Sequence, residues 1–395
     1  MSKNSSRRTF LKATAAGPAA VSAGYAKAKP AQSNIYAKVG VKPLINGIGT
    51  VTVWGGSIMP PEVVQAMVDA SKHFVNVPEL QKKVGERLAQ LIGVPGAMVT
   101  AGAASSITVA TAACITRGDA RNRSMIPDTT GMKYEIVQQK SHRCGYEAQM
   151  LLTGAKIVWV ETREQMEAAI NDRTAMMFFL NLADPRGQIK REEFVKIGKA
   201  RGVPTFMDAA ADVPPASHLS DYVKMGFDLV AFSGGKGLLG PQASGLLLGN
   251  KEMIEWGMPC ISPHGGIGRG MKVGKEEIMG LLAAVERYLK VDHDAEYRLL
   301  ESKINYIMGV LAKVPGVKTE QFVPEIANHL PHMRVDWDPA QHKLTGEQVS
   351  KQLLEGDPAI MLPASQNGVT ISVWMMRGDE HRLVAARLRD ILAKA

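Results

Sequence analysis

The chain has 395 residues, a length that suits one large domain with a smaller one rather than a single small core. Hydrophobic residues make up 45% and charged residues 22%, which is ordinary for a globular protein, and no apolar run approaches the roughly 20 residues that span a bilayer. The formal net charge is +9, but five basic residues and no acid lie within residues 1–28, so the remainder carries only +4. We therefore expect neither a membrane anchor nor a nucleic-acid partner.

The N-terminal segment begins with a pair of arginines. Arg7 and Arg8 precede Thr-Phe-Leu-Lys, a mildly apolar stretch follows, and Ala-Lys-Ala at residues 26–28 supplies an A-x-A cleavage site. This order resembles a twin-arginine export signal, a route used by folded proteins. We expect residues 1–28 to be a signal peptide that engages the twin-arginine export machinery, and the mature protein to be periplasmic. A disordered basic tail is the alternative.

Residues 29–60 are predicted to form an N-terminal arm, and an alternating pattern follows it. Apolar residues recur at helical spacing from Pro61 to Ile92, and helical patterns return between several later apolar runs. Those runs span residues 97–101, 135–139, 156–160, 175–182, 204–208, 229–233 and 245–248. The alternation is typical of a mostly parallel sheet covered by helices, so we predict an α/β fold with a large domain over residues 61–275.

The pattern changes after residue 275. A long, charged, amphipathic helical stretch runs from Lys275 to about Lys313. Strand-like runs follow at residues 333–335 and 369–373, with a closing helix near residues 382–392. We predict that residues 276–395 comprise a linker helix and a small C-terminal α+β domain.

Three cysteines are scattered along the chain. Cys114, Cys144 and Cys260 form no C-x-x-C pair, and no histidine cluster lies beside them. An odd, scattered set argues against a disulfide framework and against a structural zinc. We expect three ordinary thiols and no metal site.

One of the apolar runs ends at an aspartate. The strand predicted at residues 204–208 finishes with Phe206-Met207-Asp208, and ligands in open α/β sheets bind at the carboxyl ends of the strands. A carboxylate in that place can hold the positively charged ring nitrogen of a cofactor. The alternative is that Asp208 caps the next helix.

A second apolar run presents a lysine. Residues 229–233 lead through two glycines to Lys236, which follows Asp208 by 28 residues. Pyridoxal 5'-phosphate (PLP) needs a lysine amine for its Schiff base, and a carboxylate that keeps its pyridine nitrogen charged makes the ring an electron sink. A surface lysine in a glycine turn is the alternative, but residues 239–246 lead through further turn residues into another apolar strand. The pair of strands therefore predicts a PLP site.

A third element precedes both strands. The run ending at Ala101 enters Gly-Ala-Ala-Ser-Ser, with Ala104, Ser105 and Ser106 opening a helix. Free N–H groups at a helix N-terminus and serine hydroxyls make a phosphate site. The order of phosphate loop, aspartate and lysine matches the layout of a fold-type-I PLP enzyme, the aspartate-aminotransferase-like fold.

A basic segment, residues 266–276, has the sequence Gly-Ile-Gly-Arg-Gly-Met-Lys-Val-Gly-Lys-Glu. It resembles the segment that follows the cofactor lysine in D-glucosaminate-6-phosphate ammonia-lyases, which belong to the family of the bacterial L-seryl-tRNA selenium transferases. Three further segments resemble that family: residues 45–50, 103–113 and 208–245. The resemblance covers residues 38–395.

The resemblance implies roles for single residues. It implies that Lys236 is the Schiff-base lysine and that Asp208 is the partner of the ring nitrogen. It also implies phosphate contacts from Ser105, Ser106 and Ser233.

Three further residues match the family less directly. His142 lies at a position whose side chain could stack on the PLP ring, with a plain loop histidine as the alternative. Arg269 and Lys272 could bind a substrate anion or reach the site of a neighbouring subunit, with a solvated basic loop as the alternative. The resemblance also leads us to expect a homodimer or a larger homo-oligomer, because sites of this fold class usually lie between subunits.

One segment departs from the family pattern. Between the strand near residues 175–180 and the helix that starts at Arg191, the ammonia-lyases carry a Ser-His-His-type segment. Here residues 181–187 are Asn-Leu-Ala-Asp-Pro-Arg-Gly. The resemblance therefore implies the reaction class more firmly than the substrate.

We expect a PLP-dependent lyase that eliminates the hydroxyl of a β-hydroxy amino acid or an amino sugar acid and releases a 2-keto acid and ammonia. Lys236 would act as general base. A tRNA-dependent selenium transferase is one alternative, against which the small excess charge argues. A racemase, aldolase or aminotransferase is another, because a fold does not determine a reaction. A binding protein without activity is the last.

Overall fold

The computed structural model describes residues 35–394, so the predicted export signal lies outside the described residues. The described residues divide into two units, residues 35–43 and residues 44–394. Within the first unit the described part contains one short 3₁₀ helix, Ile35–Val39. The other helices and strands of the described residues lie in the second unit.

The described residues contain thirteen α-helices and thirteen β-strands. The helices are α1 (Pro61–Ser71), α2 (Val77–Ile92), α3 (Gly102–Thr116), α4 (Ala120–Met125), α5 (Glu147–Leu151), α6 (Arg163–Ala169), α7 (Arg191–Arg201), α8 (His218–Met225), α9 (Lys251–Gly257), α10 (Lys275–Tyr288), α11 (His293–Leu311), α12 (Gly346–Glu355) and α13 (Glu380–Leu392). The strands are β1 (Leu44–Asn46), β2 (Gly96–Thr100), β3 (Glu135–Gln139), β4 (Lys156–Val160), β5 (Thr174–Leu180), β6 (Thr205–Asp208), β7 (Leu229–Ser233), β8 (Gly245–Gly249), β9 (Val317–Phe322), β10 (His332–Trp337), β11 (Ala359–Met361), β12 (Ala364–Ser365) and β13 (Gly368–Ser372).

The largest sheet has seven strands in the order β2-β8-β7-β6-β5-β3-β4. All its neighbours are parallel except β8, which runs antiparallel to both β2 and β7. The inner strands β5 and β6 are buried along their whole length, since helices cover both faces. This confirms the predicted mostly parallel α/β sheet covered by helices.

The helical stretch predicted from Pro61 to Ile92 is two helices rather than one. α1 ends at Ser71, and α2 starts after Asn76, whose side chain accepts a hydrogen bond from the Glu79 N–H. This cap satisfies a backbone donor that would otherwise lack a partner. The prediction joined the two helices because the apolar spacing is helical on both sides of the break.

The C-terminal part has its own core around a four-stranded sheet, ordered β12-β13-β10-β9. The predicted linker helix is two helices. α10 contacts α1 and α2, and its residues Ile278, Leu281 and Val285 belong to the core of the large sheet, whereas α11 belongs to the C-terminal core. By packing, the large domain therefore extends beyond residue 275. The arm also contributes to the C-terminal part, since β1 pairs with β11.

The cysteines are unpaired within residues 35–394. Cys114 and Cys260 are buried, and Cys144 is partly buried. None of the helices in that range combines the length and the apolar character needed to cross a membrane. The same residues contain no group of three or more side chains arranged to hold a metal ion.

Candidate active site

The strands β6 and β7 lie side by side and end at the same edge of the large sheet. Their pairing places Asp208 opposite Ala231. Beyond the strands the two loops stay together, because the Ala209 N–H donates to the Ala231 carbonyl at 3.0 Å and the Ser233 N–H donates to the Ala210 carbonyl at 3.2 Å. The loops that carry Asp208 and Lys236 are therefore fixed to one another through their backbones.

Asp208 is buried at the end of β6, with 5% of its surface exposed. Its Oδ1 accepts a hydrogen bond from the Ala210 N–H at 3.0 Å. Burial raises the pKa of this carboxyl, while the Ala210 N–H and the charge of Lys236 oppose that rise. A cationic ring nitrogen would supply the partner that favours the charged form.

Lys236 lies in a turn whose backbone is closely packed. A side chain at Gly235 would collide with Gln242, and one at Gly237 would collide with the Val213 carbonyl. The Gly234 N–H donates to the Ser244 carbonyl at 2.8 Å. The glycines around Lys236 are therefore required by close backbone approach, which rigidifies the turn that presents the amine.

The Lys236 side chain is half-buried. Burial lowers its pKa, and the charges of Asp208 and Asp212 act in the opposite direction. A lysine in these surroundings reaches its neutral, nucleophilic form more readily than an exposed lysine does.

The N-terminus of α3 lies beside this pair of loops. Gly245 of β8 pairs with Thr100 on one side and with Ser233 on the other. A side chain at Gly245 would collide with the backbone of Gly102, so the glycine allows α3 to start at this edge. Gly102 itself has a φ of +85°, a conformation that favours glycine.

The first turn of α3 lacks a side-chain cap, and the first N–H groups of a helix have no partner within it. Ser105 is 3% exposed, and its hydroxyl has no hydrogen-bond partner among the described residues. The Ser106 hydroxyl differs from our expectation, because it is enclosed and bonded to the Thr100 hydroxyl at 2.7 Å. Ser105 is thus the better placed of the two serines for a phosphate.

These features fit PLP. The unpartnered Ser105 hydroxyl and the uncapped helix N-terminus suit the phosphate, the buried Asp208 carboxyl suits the ring nitrogen, and the Lys236 amine suits the aldehyde carbon. All three groups lie where strands of one sheet end, as expected for a ligand site in an open α/β sheet.

Comparisons with known proteins agree with this geometry. Residues 56–271 match the family model described as aminotransferase class-V. The D-glucosaminate-6-phosphate ammonia lyase of Salmonella typhimurium is 31% identical over 92% of this chain and 99% of its own length. The chain belongs to the class-V aminotransferase family of PLP-dependent enzymes.

Further relatives place the chain within that family. A solved structure of D-glucosaminate-6-phosphate ammonia-lyase superposes with a TM-score of 0.80 at 30% identity, over 92% of this chain and 99% of the other. A 5'-C-glycyluridine monooxygenase-decarboxylase from a Streptomyces species is 31% identical over 83% of both chains. The L-seryl-tRNA(Sec) selenium transferase of Aquifex aeolicus is 22% identical over 58% of this chain and 56% of its own. Relatives of similar identity thus carry names of different reactions.

In this class-V enzyme His142 is enclosed by protein. It follows β3, has no exposed surface, and packs edge-on against Phe179 with ring centroids 4.5 Å apart. Its Nδ1 accepts from the Leu180 N–H at 3.2 Å, and its Nε2 lies 3.2 Å from Gln139 Nε2. Burial lowers its pKa to about 4, helped by the charges of Arg186 and Lys190. Stacking on the cofactor ring stays a prediction, and it would require the surrounding side chains to move.

The other expected site residues have mixed environments. Ala104 and Ser233 are partly buried, the first in α3 and the second at the end of β7. Arg269 and Lys272 are exposed on the basic segment. The two roles predicted for them, anion binding and contact with a neighbouring subunit, stay predictions.

Sequence reasoning missed a buried polar network next to Asp208. Asn181 follows β5, and its Nδ2 donates to Asp212 Oδ2 at 2.6 Å and to the Tyr222 hydroxyl at 3.0 Å. Arg191 Nη1 donates to Asn181 Oδ1 at 3.3 Å. Asn181 begins residues 181–187, the segment that is expected from its sequence to depart from the ammonia-lyase pattern. A polar residue directly after the apolar run of β5, beside the strand of Asp208, was the available signal.

Proposed function

We propose that this chain is a PLP-dependent ammonia-lyase that acts on a β-hydroxy amino acid or an amino sugar acid and produces a 2-keto acid. One observation carries the proposal: the Lys236 amine and the Asp208 carboxyl lie on backbone-linked loops at adjacent strand ends, and each charge acts on the other. The similarity to an ammonia lyase along nearly the whole chain supports the reaction class.

The roles follow from the positions of the side chains. When bound, PLP supplies an electron sink for the charge that proton removal leaves on the α-carbon of an amino acid. Asp208 would hold the ring nitrogen in its cationic form, and Ser105 with the N-terminus of α3 would hold the phosphate. Lys236 would tether the cofactor and, once displaced by the substrate amine, take the α-proton.

The proton balance is met by the substrate and by Lys236. The α-proton passes to Lys236, and the β-hydroxyl leaves with a proton as water. Water then hydrolyses the remaining enamine to the 2-keto acid and ammonia. No external oxidant or reductant is needed, which distinguishes this proposal from the oxygen-dependent reaction that the name of the Streptomyces relative indicates.

We propose that the basic segment binds the anionic end of the substrate. Arg269 and Lys272 are exposed, so a carboxylate or phosphate can reach both without a large loss of hydration. The phosphate of the substrate named for the Salmonella relative would suit such residues. The chain's own substrate need not carry one, since residues 181–187 differ from the ammonia-lyase pattern.

The direct test is a substrate panel. PLP-loaded protein is incubated with D- and L-β-hydroxy amino acids and with amino sugar acids, with and without a phosphate, while ammonia, 2-keto acid and dissolved oxygen are measured. We expect ammonia and keto acid in equal amounts without oxygen consumption. Oxygen consumption with release of carbon dioxide would instead support the decarboxylase reaction, and turnover only of seryl-tRNA would support the selenium transferase.

We also propose export through the twin-arginine route to the periplasm, with a mature chain that starts near Lys29. The support is the Arg7-Arg8 pair with its Phe-Leu-Lys sequence and the Ala-Lys-Ala site at residues 26–28. Cells that make the Arg7→Lys, Arg8→Lys protein should retain it in the cytoplasm, whereas the unaltered protein fractionates with the periplasm. Equal export of both proteins would contradict the proposal.

A homodimer or larger homo-oligomer is proposed as the active form. Several apolar side chains between residues 51 and 75 are exposed, among them Val53 at 78% and Phe74, which is fully exposed. A second copy of the chain would remove them from water. Light scattering of active protein should give at least twice the mass of one chain, and a Phe74→Glu variant should shift toward the monomer. A fully active monomer would contradict this.

A further inference from the structure

A second buried carboxyl lies close to the Asp208–Lys236 pair. Asp212 is 2% exposed and follows Asp208 by four residues on the same loop. Its N–H donates to the Ala209 carbonyl at 3.1 Å, so the loop turns back toward the end of β6. An isolated buried carboxylate is costly, so Asp212 needs partners that stabilise its charge.

Donors from two other elements hold the Asp212 carboxyl. Asn181, after β5, donates to its Oδ2 at 2.6 Å, and the Tyr222 hydroxyl of α8 interacts with the same carboxyl. His218 Nδ1 lies 2.8 Å from the Asp212 backbone carbonyl and 3.1 Å from the Tyr222 hydroxyl. Hydrogen bonds from Asn181 and Tyr222 favour the charged form of the carboxyl.

The loop of Asp212 touches the loop of Lys236. The Val213 carbonyl lies so close to Gly237 that no side chain would fit there. Among the described residues, Asp208 and Asp212 are the groups whose charges act on the Lys236 amine. Asp212 therefore has both the position and the charge to influence the tether.

Asp212 also differs from Asp208 in the groups that act on its carboxyl. Burial raises the pKa of Asp212 to about 6, with the charge of Asp208 as a further cause, while Asn181, Tyr222 and Lys236 oppose the rise. Near pH 8 the carboxyl is consequently ionised. The charge of Asp208 would be balanced by the ring nitrogen of PLP, which leaves Asp212 as the acid that acts on the Lys236 nitrogen.

We propose that Asp212 is a positioning residue that keeps the Lys236 nitrogen protonated in the resting enzyme, whereas Asp208 serves the ring nitrogen. The inference rests on the proposed role of Lys236 as the tether. Each of the two buried carboxylates then acts on one nitrogen: Asp208 on the ring nitrogen of PLP, and Asp212 on the nitrogen of Lys236. Asn181 and Tyr222 support Asp212 by donating to it.

The test is a pH titration of the visible absorbance of PLP-loaded protein, which changes when the Lys236 nitrogen loses its proton. Replacing Asp212 by Asn removes a negative charge near that nitrogen, so the midpoint should move down by about one pH unit, the size expected for one nearby opposite charge. Asp212→Glu keeps the charge and should keep the midpoint near that of the wild type. Asp228→Asn is the matched control, because Asp228 precedes β7 at the opposite end of the strand.

The outcomes separate the inference from the proposed function. An Asp212→Asn midpoint equal to that of the wild type, or an equal shift in Asp228→Asn, would overturn the inference while leaving the lyase proposal intact. A wild-type protein without any visible band would overturn both. If Asp212→Asn does not fold, Asp212→Ser replaces it, since a serine hydroxyl is neutral and can accept a hydrogen bond, and the same shift is expected.

Discussion

Two charged regions of this enzyme differ in their access to water. The strand-end cluster consists of Asp208 and Asp212, which are buried, and Lys236, which is half-buried on the adjoining loop. The basic segment, residues 266–276, presents Arg269 and Lys272 to solvent. Burial raises the pKa of both aspartates and lowers that of the lysine, whereas exposed charges in water are screened by salt.

Because the two regions differ in their access to water, we expect them to have different roles. Charges in the strand-end cluster act on one another and are partly or fully buried, so they can set the protonation of a cofactor and its tether. Charges on the basic segment can attract an anion and orient it, but each contributes little free energy. Substitutions in the first region should therefore change the chemistry, and substitutions in the second should change substrate affinity.

Removal of the tether tests the buried region most severely. Lys236→Ala should lose the visible absorbance band and reduce ammonia release by at least about a thousand-fold, because one amine serves as both tether and base. Lys275→Ala is the matched control, since Lys275 donates to the Ala70 carbonyl and pairs with Glu276. Retention of the band in Lys236→Ala would show that Lys236 is not the tether.

Loss of the ring-nitrogen partner should have the next largest effect. Asp208→Asn keeps the tether, so the band should persist, while kcat should fall by about a hundred-fold, as for the loss of one preorganised electrostatic partner. Steady-state kinetics and the absorption spectrum check both parts. Unchanged kcat would show that burial of Asp208 does not matter to the reaction.

His142 is a further buried titratable group, and its lowered pKa keeps it neutral near pH 7. Its pKa of about 4 in the folded protein lies below that of an unfolded histidine. Stability should therefore be lost as the pH falls from about 6.5 toward 4, by roughly 2 kcal/mol at pH 5. The difference between the free energies of unfolding at pH 7.5 and pH 5 should shrink by that amount in His142→Leu. The exposed His264 is the control, and an equal change in His264→Leu would contradict the assignment.

The two serines of α3 allow a finer test within the buried region. Ser105→Ala should weaken PLP binding by about ten-fold, the loss of one hydrogen bond to a charged group. Ser106→Ala should leave PLP affinity nearly unchanged and instead reduce the stability, since it leaves the buried Thr100 hydroxyl with one partner fewer. Equilibrium titration with PLP distinguishes the two, and the reverse result would show that Ser106 turns toward the phosphate.

The smallest effects are expected in the basic segment. Arg269→Ala and Lys272→Ala should each raise KM by about two- to five-fold with kcat unchanged, and the effect should fade as salt is added. Lys290→Ala, another exposed lysine, should change neither constant. A large loss of kcat in Arg269→Ala would mean that this arginine enters a buried site, for example that of a neighbouring subunit.

Much of the large sheet was predictable, because its strands are short apolar runs between turn residues. The bounds of β3, β4 and β7 are those that the sequence predicted. The antiparallel direction of β8 was not predictable, since an apolar run carries no sign of direction. Strands β9 and β11 were missed because their residues alternate weakly or are few.

The candidate site was predictable where chemistry restricts residue type. Asp208 and Lys236 were singled out because each comes at or after the end of an apolar run, and the structure places their loops together. Asp212 and Asn181 were missed as site residues because their importance depends on burial and on contacts between segments 31 residues apart. The enclosure of His142 was equally invisible, since it depends on the packing of Phe179 and Gln139 around the ring.

The central claim is that Lys236, and no lysine of the basic segment, carries the cofactor. Borohydride reduction of PLP-loaded protein fixes the cofactor to its lysine, and peptide mapping then identifies that residue. The account predicts a single labelled peptide that contains Lys236, with Lys272 and Lys275 unlabelled. A pyridoxyl group on Lys272 or Lys275 would contradict it, because the reacting amine would then belong to the basic segment rather than to the strand-end cluster.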